Sequence, residues 1–328
     1  MESDLTQNWK APIDAIVPDF IIGGAMKSGT STLHAILALH PEVFIPEEEI
    51  GFFDIDNILE HYDFNFYDRK TKRWTSQDMT KDPDPLWNWY SEKFGAGKGK
   101  MLGEDSTSYL TSKFAAERIS LQEKPIKLIF MLRHPSLRAY SNYFHLVRSG
   151  IVAHSFEDVL QFHPNLVLHR SRYKDQLESY YRHIPKENIK VVVFEDLIEN
   201  PRAVMNDVCS FLNLDVDVID PTVFEIHSNR GKLPWLIRIH RLKNLIFRRY
   251  GNSFYQKTLP NRAPKNVIKR MFIPKVANRI HGILNPLKDR KTPKMNPGTQ
   301  DFLDDYFKKE LDGLDELVGA EVLSKWFH

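Results

Sequence analysis

Cysteine is almost absent from this sequence, since Cys209 is the only one among 328 residues. A single cysteine excludes an internal disulfide framework and favours a reducing compartment. Long apolar runs are also missing, and none approaches the ~18 residues that a membrane-spanning helix requires. No basic stretch followed by an apolar one, the pattern of a signal peptide, stands at the beginning. We therefore expect a cytoplasmic globular protein, in agreement with 42% hydrophobic and 27% charged residues.

Acidic residues are scarce in one part of the chain only. The formal net charge is +2, but residues 230–294 contain 18 lysines and arginines against a single acid, Asp289. The rest of the chain holds 27 basic residues against 42 acidic ones. This asymmetry predicts an anionic partner for the basic segment. Nucleic acid is disfavoured as that partner, because most of the chain is acidic and no known nucleic-acid-binding motif occurs.

A glycine-rich turn near the beginning of the chain has the composition of an anion-binding site. Residues 20–22 predict a short buried strand, and residues 32–39 predict the first part of a helix. The backbone N–H groups of a turn between strand and helix, together with the helix dipole, attract phosphate groups. Lys27 adds a full positive charge. The remaining residues predicted to bind an anion here are Ser28, Gly29, Thr30, Ser31 and Thr32.

The position of the lysine distinguishes this turn from the loop that binds nucleoside triphosphates. That loop reads G-x-x-x-x-G-K-[ST], with lysine directly after the second glycine. Gly24 and Gly29 have the required separation, but Thr30 follows the second glycine and Lys27 lies within the loop. The lysine is therefore directed elsewhere, and no residue is clearly placed for a magnesium-bound triphosphate.

A second anion site is predicted after another strand. Residues 127–132 read as a buried strand that delivers Arg133 and His134 at its end, and Pro135 suits the first turn of the next helix. A guanidinium group is well shaped for two hydrogen bonds to phosphate. Ser141, eight residues after Arg133, lies in that helix and could contact the same anion.

The alternation of strands and helices predicts an α/β fold. Further strands are expected at residues 43–45, 101–105 and 189–194, and such buried strands form a parallel sheet covered by helices on both faces. Ligands bind at the carboxyl ends of these strands, where Lys27, Glu49, Glu104 and Arg133 would gather. We expect a single domain over residues 1–328, with a basic helical insertion at about residues 230–294.

The turn around Lys27 and the block of residues 133–141 resemble two motifs of the sulfotransferase superfamily, specifically of its bacterial and heparan-sulfate branch. In that family the first motif binds the 5′-phosphosulfate, and the second the 3′-phosphate, of 3′-phosphoadenosine 5′-phosphosulfate (PAPS). The resemblance implies a nucleotide-kinase-like fold with a five-stranded parallel sheet. It also implies a PAPS-dependent O-sulfotransferase that needs no metal and acts on a hydroxyl of a carbohydrate, lipid or small natural product. Arg230, Gly231 and Lys232 resemble the family's late basic loop over the nucleotide.

The same resemblance suggests the catalytic residues. In the heparan-sulfate branch a glutamate three residues before a Phe-Phe pair acts as the base, and Glu49 has this position before Phe52. Lys27 would stabilise the charge on the leaving oxygen. His134 is the alternative base. Asp105 stands where those enzymes have a lysine that faces the reaction centre, which weakens a glycosaminoglycan acceptor but not sulfuryl transfer.

Two other functions fit parts of the sequence. Residues 191–196 resemble a magnesium-binding strand end, as in a phosphotransferase of the P-loop class. A non-catalytic protein that binds anionic glycans or lipids through the basic segment is the other alternative. Residues 235–250 predict an amphipathic helix, whose apolar face would pack on the domain or, alternatively, lie on an anionic membrane or beside an acidic substrate. That apolar face comprises Trp235, Leu236, Ile239, Leu242, Ile246 and Tyr250.

Overall fold

A five-stranded parallel sheet lies at the centre of the computed structural model, which describes residues 8–225, 232–247, 259–261, 272–289 and 292–327. The strands in the first two thirds of the chain are β1 (Phe20–Gly24), β2 (Val43–Phe44), β3 (Phe66–Asp68), β4 (Arg73–Thr75), β5 (Met101–Asp105), β6 (Lys127–Leu132) and β7 (Ile189–Val193). The central sheet has the order β2-β5-β1-β6-β7 and every pairing in it is parallel. The predicted α/β fold is confirmed. Strands β3 and β4 form a separate antiparallel hairpin.

The central strands are buried on both faces, which explains their continuous apolar sequences. In β6, Leu128, Phe130 and Leu132 belong to the larger apolar core on one side of the sheet. Ile129 and Met131 belong to the smaller core on the other side. This alternation follows from the two-residue period of a strand. As a result, the polar residues of the chain collect at the ends of the strands.

Helices cover the sheet, and their ends differ from the predicted ones by a few residues. The helix after β1 begins at Thr30, two residues earlier than predicted, and β7 ends at Val193 because Phe194 begins the next helix. The helices up to residue 225 are α1 (Thr30–Leu37), α2 (Pro83–Glu92), α3 (Ala115–Ser120), α4 (Pro135–Arg148), α5 (Phe156–Phe162), α6 (Asn165–Leu168), α7 (Tyr173–Tyr181), α8 (Phe194–Glu199) and α9 (Pro201–Leu212).

Most of the described part of the basic segment is a pair of helices, and a short pair of antiparallel strands joins the two ends of this part of the chain. Strand β8 (Lys232–Pro234) pairs antiparallel with β9 (Leu287–Asp289), and between them lie α10 (Ile237–Phe247) and α11 (Phe272–Leu284). Lys232 therefore begins a strand, whereas Arg230 and Gly231 lie outside the described residues. That a single domain spans the whole chain stays a prediction.

In the described part of residues 235–250, the predicted apolar face does not pack on the domain. Ile239 and Leu242 are both exposed, whereas His240 and Asn244 are buried against the end of α4. The first of the two alternatives, packing of this face on the domain, is therefore wrong for these residues, because polar side chains occupy the side of α10 that faces the domain. The side chains of Ile246 and Tyr250 lie outside the described residues.

The C-terminal tail packs on the large core. It consists of α12 (Pro297–Glu310), α13 (Leu314–Val318) and α14 (Leu323–Trp326). Leu303, Phe307, Leu311 and Leu314 are fully buried, whereas Phe302 remains exposed. No helix in the described part of the chain combines the length and hydrophobicity needed to cross a membrane.

Candidate functional site

The turn between β1 and α1 has the backbone geometry of an anion-binding site. Lys27 adopts a left-handed conformation with φ of 71°, and Gly29 has φ of 92°. A Cβ atom at Gly29 would lie 2.4 Å from Cδ2 of Phe194, so only glycine fits this position. The first turn of α1 has no side-chain cap. The N–H of Thr32 donates to the carbonyl of Gly29, which leaves those of Thr30 and Ser31 to an anion in front of the helix.

The predicted residues of this turn differ in their exposure. Ser28 and Thr30 are buried, Lys27, Gly29 and Thr32 are partly buried, and Ser31 is exposed. An anion held by the turn would therefore contact the backbone N–H groups and Lys27 more readily than it would contact every one of the hydroxyl groups. Assignment of each of these residues to PAPS stays a prediction.

Arg133 lies against the same turn. It follows β6 directly, and its Nη1 donates a hydrogen bond to the backbone carbonyl of Lys27 over 3.2 Å. Its guanidinium lies 4.8 Å from the ring centre of Phe194. The Nε of Arg133 is buried and has no acceptor among the described residues. Since buried donors are almost always paired, this free N–H fits a bound anion beside the turn.

Ser141 lies on α4, the helix that follows Arg133, and is partly buried. The structure thus places both predicted residues of the second motif on one connected segment beside the Lys27 turn. A contact of Ser141 with the 3′-phosphate stays a prediction.

Arg138 supports the turn through a hydrogen bond, and the sequence motifs did not identify it as a functional residue. Its side chain is fully buried in α4. Its guanidinium donates to the carbonyl of Met26 over 3.4 Å, to Oγ of Ser171 over 2.5 Å, and to the carbonyl of Val167. Burial lowers the pKa of Arg138 to about 10. Arg138, five residues after Arg133, therefore helps to fix Met26, the residue immediately before Lys27.

Several cations surround Lys27 and give the site a positive potential. Burial lowers the pKa of Lys27, and the charges of Arg148 and Arg133 lower it further. His145 has a pKa lowered to about 4, first by burial and then by Lys27 and Arg148. Nδ1 of His145 lies 3.2 Å from Nη2 of Arg148, a contact that suits a neutral imidazole. So many positive groups are most stable together when an anion binds among them.

Glu49 is close enough to Lys27 for the two charges to interact. Its negative charge raises the pKa of Lys27, so the two side chains lie within electrostatic reach of each other. Oε2 of Glu49 accepts hydrogen bonds from Oγ1 of Thr107 over 2.7 Å and from its backbone N–H over 3.4 Å. As a whole residue Glu49 is exposed to solvent, although many protein atoms lie around its carboxyl.

The pKa of Glu49 is raised, and a neighbouring carboxyl contributes. Burial is the largest cause and the charge of Asp105 is the next, while the hydrogen bonds from Thr107 oppose both. Asp105 is itself buried at the end of β5, and its Oδ2 lies 3.2 Å from Nδ1 of His34. Asp105 thus places a second carboxyl close enough to act on the predicted base.

Glu104 is a buried carboxyl that organises this half of the site. It is fully buried, and three hydroxyl groups donate to it: Tyr90 over 2.5 Å, Tyr109 over 2.5 Å and Ser106 over 2.6 Å. Burial raises the pKa of Glu104 to about 7. Buried hydrogen-bond networks of this kind fix one geometry.

The Glu104 network holds the segment that follows Glu49. The hydroxyl of Ser106 accepts a hydrogen bond from the N–H of Gly51 over 2.8 Å, and that of Tyr109 accepts one from the N–H of Phe53 over 3.0 Å. Each hydroxyl therefore connects a backbone N–H of this segment to the buried carboxyl. Sequence reasoning placed Glu104 at the sheet edge but did not identify this role, which requires the tertiary contacts.

The two alternative sets of functional residues have other contacts. His134 packs on Phe327, with ring centres 5.4 Å apart, and its Nε2 lies 3.8 Å from Oδ1 of Asp304 in the C-terminal tail. Glu195 accepts hydrogen bonds from the N–H of His134 and from the indole of Trp326. Asp196 forms an ion pair with Lys325 at 2.7 Å. The acids proposed as magnesium ligands are thus bonded to the tail.

Comparisons with known proteins agree on one family. A family model described as the sulfotransferase family matches residues 18–218. Human heparan sulfate glucosamine 3-O-sulfotransferase 5 is 29% identical over 211 residues, which cover 60% of this chain and 54% of that protein. The bifunctional heparan sulfate N-deacetylase/N-sulfotransferase of Drosophila melanogaster is 26% identical over 222 residues, covering 60% of this chain and 20% of that protein. The chain thus matches about half or less of the length of these relatives.

A solved structure shares the fold over nearly the whole chain. The crystal structure of a sulfotransferase from Alicyclobacillus acidocaldarius has a TM-score of 0.59 and 22% sequence identity. The similarity covers 95% of this chain and 99% of that one. At this identity the likeness establishes the common fold.

We predict that Glu104→Gln removes one component of the pH dependence of stability. The folded protein holds Glu104 at a pKa of about 7, raised from its ordinary 4.5, so its protonated form is favoured by folding. That contribution is complete below pH 4.5 and is lost as the pH rises through 7, which amounts to a free energy on the order of 3 kcal/mol. Glutamine keeps the hydrogen-bonding shape but does not titrate.

The measurement is urea denaturation of both proteins at several pH values between 4 and 8. The free energy of unfolding of the wild type should fall relative to that of Glu104→Gln as the pH rises. Glu104→Ala serves as the second variant, and it should be less stable at every pH because it leaves three hydroxyl donors without their acceptor. Parallel curves for wild type and Glu104→Gln would show that Glu104 does not titrate in this range.

Proposed function

The chain belongs to the sulfotransferase family, and on that premise we propose that it transfers a sulfuryl group from PAPS to a hydroxyl of its acceptor. One observation carries the proposal: Lys27 adopts a left-handed conformation in the turn, Arg133 donates a hydrogen bond to its carbonyl, and the charge of Glu49 acts on its side chain. This arrangement combines an anion site, a cation for the leaving group and a base.

The residues present fit PAPS. The uncapped first turn of α1 and Lys27 suit the 5′-phosphosulfate, and the unpaired Nε of Arg133 suits the 3′-phosphate. PAPS supplies the sulfuryl group and a stable phosphate leaving group. Arg230, Gly231 and Lys232 are further predicted contacts. The cytoplasmic location predicted from the single cysteine stays a prediction.

The cation and the carboxyl of the site, Lys27 and Glu49, have different roles in the proposed reaction. As the acceptor oxygen bonds to sulfur, the bond between sulfur and the bridging oxygen breaks, and negative charge moves to that oxygen. Lys27 stabilises this charge, which is greatest in the transition state. Glu49 takes the proton of the hydroxyl, and a raised pKa makes it a stronger base than an ordinary carboxylate.

The acceptor is proposed as a hydroxyl because a carboxylate base suits an alcohol that must lose its proton. Asp105 beside Glu49 replaces a cation of the heparan-sulfate branch. An acceptor rich in sulfate and carboxylate groups is therefore less suited to this part of the cleft than a neutral hydroxyl compound. Labelled PAPS and a screen of carbohydrates, lipids and phenols will identify the acceptor, and mass spectrometry of the product will distinguish O- from N-sulfation.

Phosphoryl transfer is the competing chemistry, and the binding preference for nucleotides separates the two. A sulfotransferase binds adenosine 3′,5′-bisphosphate without magnesium, whereas a phosphotransferase binds ATP with magnesium. Calorimetric titration with each nucleotide makes this comparison directly. Tight binding of magnesium ATP and none of the bisphosphate would overturn the proposal.

We predict that Glu49→Gln lowers turnover by ~10²–10⁴-fold, because glutamine keeps the size of the side chain but cannot accept the proton. PAPS affinity should barely change. Glu47→Gln is the matched control, since Glu47 is an exposed acid in the same segment. If Glu49→Gln retained normal turnover while His134→Ala abolished it, the histidine would be the base.

We predict that Arg133→Ala weakens binding of adenosine 3′,5′-bisphosphate by about ten- to hundredfold, the effect of losing a hydrogen bond to a charged group. Affinity for AMP, which has no 3′-phosphate, should change much less. Competition between the two nucleotides measures this preference, with Arg69→Ala on the exposed surface as control. An unchanged preference would remove Arg133 from the 3′-phosphate site.

We predict that two neighbours of Glu49 shift the pH profile of the reaction in opposite directions. Turnover needs ionised Glu49, so kcat/KM should fall at acidic pH around its raised pKa. Asp105→Asn removes a negative charge that raises this pKa, so the acidic limb should move to lower pH. Thr107→Val removes a hydrogen bond that lowers the pKa, so the limb should move to higher pH. Profiles that shift together, or not at all, would exclude Glu49 as the titrating base.

A further inference from the structure

The helix α10 is attached to the rest of the protein by polar side chains. The side-chain amide of Asn244 donates to the carbonyls of Val147 over 2.6 Å and Val152 over 3.0 Å. Nε2 of His240 lies 3.1 Å from the carbonyl of Val147, and Nε of Arg241 donates to the carbonyl of Ala153 over 2.6 Å. The side of α10 that faces the domain therefore satisfies backbone carbonyls at the end of α4.

The contact between α10 and α11 is polar as well. Nζ of Lys243 donates to Oδ1 of Asn278 over 3.1 Å, and the rings of His240 and His281 approach to 3.1 Å between nitrogens. The side chain of Asn285 accepts from the N–H of Leu236 and donates to its carbonyl. As the residue numbers rise along α10, the numbers of their partners on the α11 side fall. The two helices are therefore antiparallel, and the contacts between them named here are polar.

Ten apolar side chains of the two helices and their flanking residues are nevertheless exposed, whereas Ile237 packs against the large core. A helix on a globular domain normally buries its apolar stripe, and large contiguous apolar patches on a surface indicate a binding site. The exposed fractions of these side chains range from 42% to 73%. The residues are Trp235, Leu236, Ile239, Leu242 and Leu245 on the α10 side, and Val276, Ile280, Ile283, Leu284 and Leu287 on the α11 side.

Basic residues accompany this apolar patch. Arg238 in α10, Arg279 in α11 and Lys288 in β9 are exposed. They belong to residues 230–294, where 18 basic residues meet one acid. The segment also lies beyond residues 18–218, which the sulfotransferase family model matches.

We propose that the pair of helices α10 and α11 lies on the surface of an anionic lipid bilayer. The interface of such a bilayer takes up apolar side chains and attracts lysine and arginine at the same time. A soluble glycan has no apolar layer for the leucines and isoleucines. A second copy of this chain would bring two strongly basic segments together, which the repulsion between like charges opposes.

The test is co-sedimentation of the full chain with vesicles of phosphatidylcholine alone and of phosphatidylcholine mixed with phosphatidylserine. We expect binding to the anionic vesicles, weaker binding at high salt, and little binding to neutral vesicles. Ile239→Asp/Leu242→Asp should reduce binding about tenfold or more, because both side chains are exposed and the change opposes insertion. Phe302→Asp, at an exposed apolar residue of the C-terminal tail, is the matched control.

A charge variant and two solution measurements complete the test. Arg238→Glu/Arg279→Glu should weaken binding to anionic vesicles while circular dichroism shows an unchanged fold. Equal binding to both kinds of vesicle, or binding unaffected by Ile239→Asp/Leu242→Asp, would overturn the proposal. Sedimentation of the wild type as a dimer that this double variant dissociates would assign the patch to a second copy. Binding to heparin beads but not to vesicles would assign it to a glycan. If the aspartate variant fails to fold, Arg238→Glu/Arg279→Glu tests the same surface, because both arginines are exposed.

Discussion

The parallel register of β1 between β5 and β6 is the constraint on which the candidate site depends. Phe20 pairs with Gly103 on one side and with Lys127 on the other, so the three strands run in the same direction with their ends aligned. The turn with Lys27, the acids at the end of β5 and Arg133 must therefore emerge at one edge. A slip of one residue would exchange the faces of β1 and move Ile21 and Ile22 into the wrong cores.

This edge could be predicted from sequence where the signal is local. The turn around Lys27 is marked by its glycines, and Arg133 is marked by the apolar strand before it and the proline after it. Both predictions rest on neighbours in sequence, and the structure brings the two segments into contact. Glu49 needed more than this: its role was inferred only from a family resemblance, because residues 43–54 carry no periodic pattern that would fix where its side chain points.

The groups that support the site could not be predicted, since each acts through residues far away in sequence. Arg138 reads as a surface residue of an amphipathic helix until Met26 and Val167 are seen to accept its hydrogen bonds. Glu104 binds hydroxyls on both sides of it in sequence, one of them in α2. The helix α10 shows a different limit of prediction from sequence. Its periodicity correctly indicated an amphipathic helix, but periodicity does not state which face meets the domain, and the polar face does so here.

The order of the strands divides the site by charge. Lys27 follows β1, while Arg133, Arg138, His145 and Arg148 follow β6, the next strand on one side. Glu49 follows β2, and Glu104 and Asp105 end β5, on the other side of β1. Most cations and carboxyls of the site are thus on separate strands, and the charges of Lys27 and Glu49 interact across the boundary between the two groups. An anionic donor bound on the β1–β6 side would approach an acceptor on the β2–β5 side across that boundary. In the proposed reaction, the charge of the leaving group would then move toward the cations, and the proton of the acceptor would move toward the carboxyls.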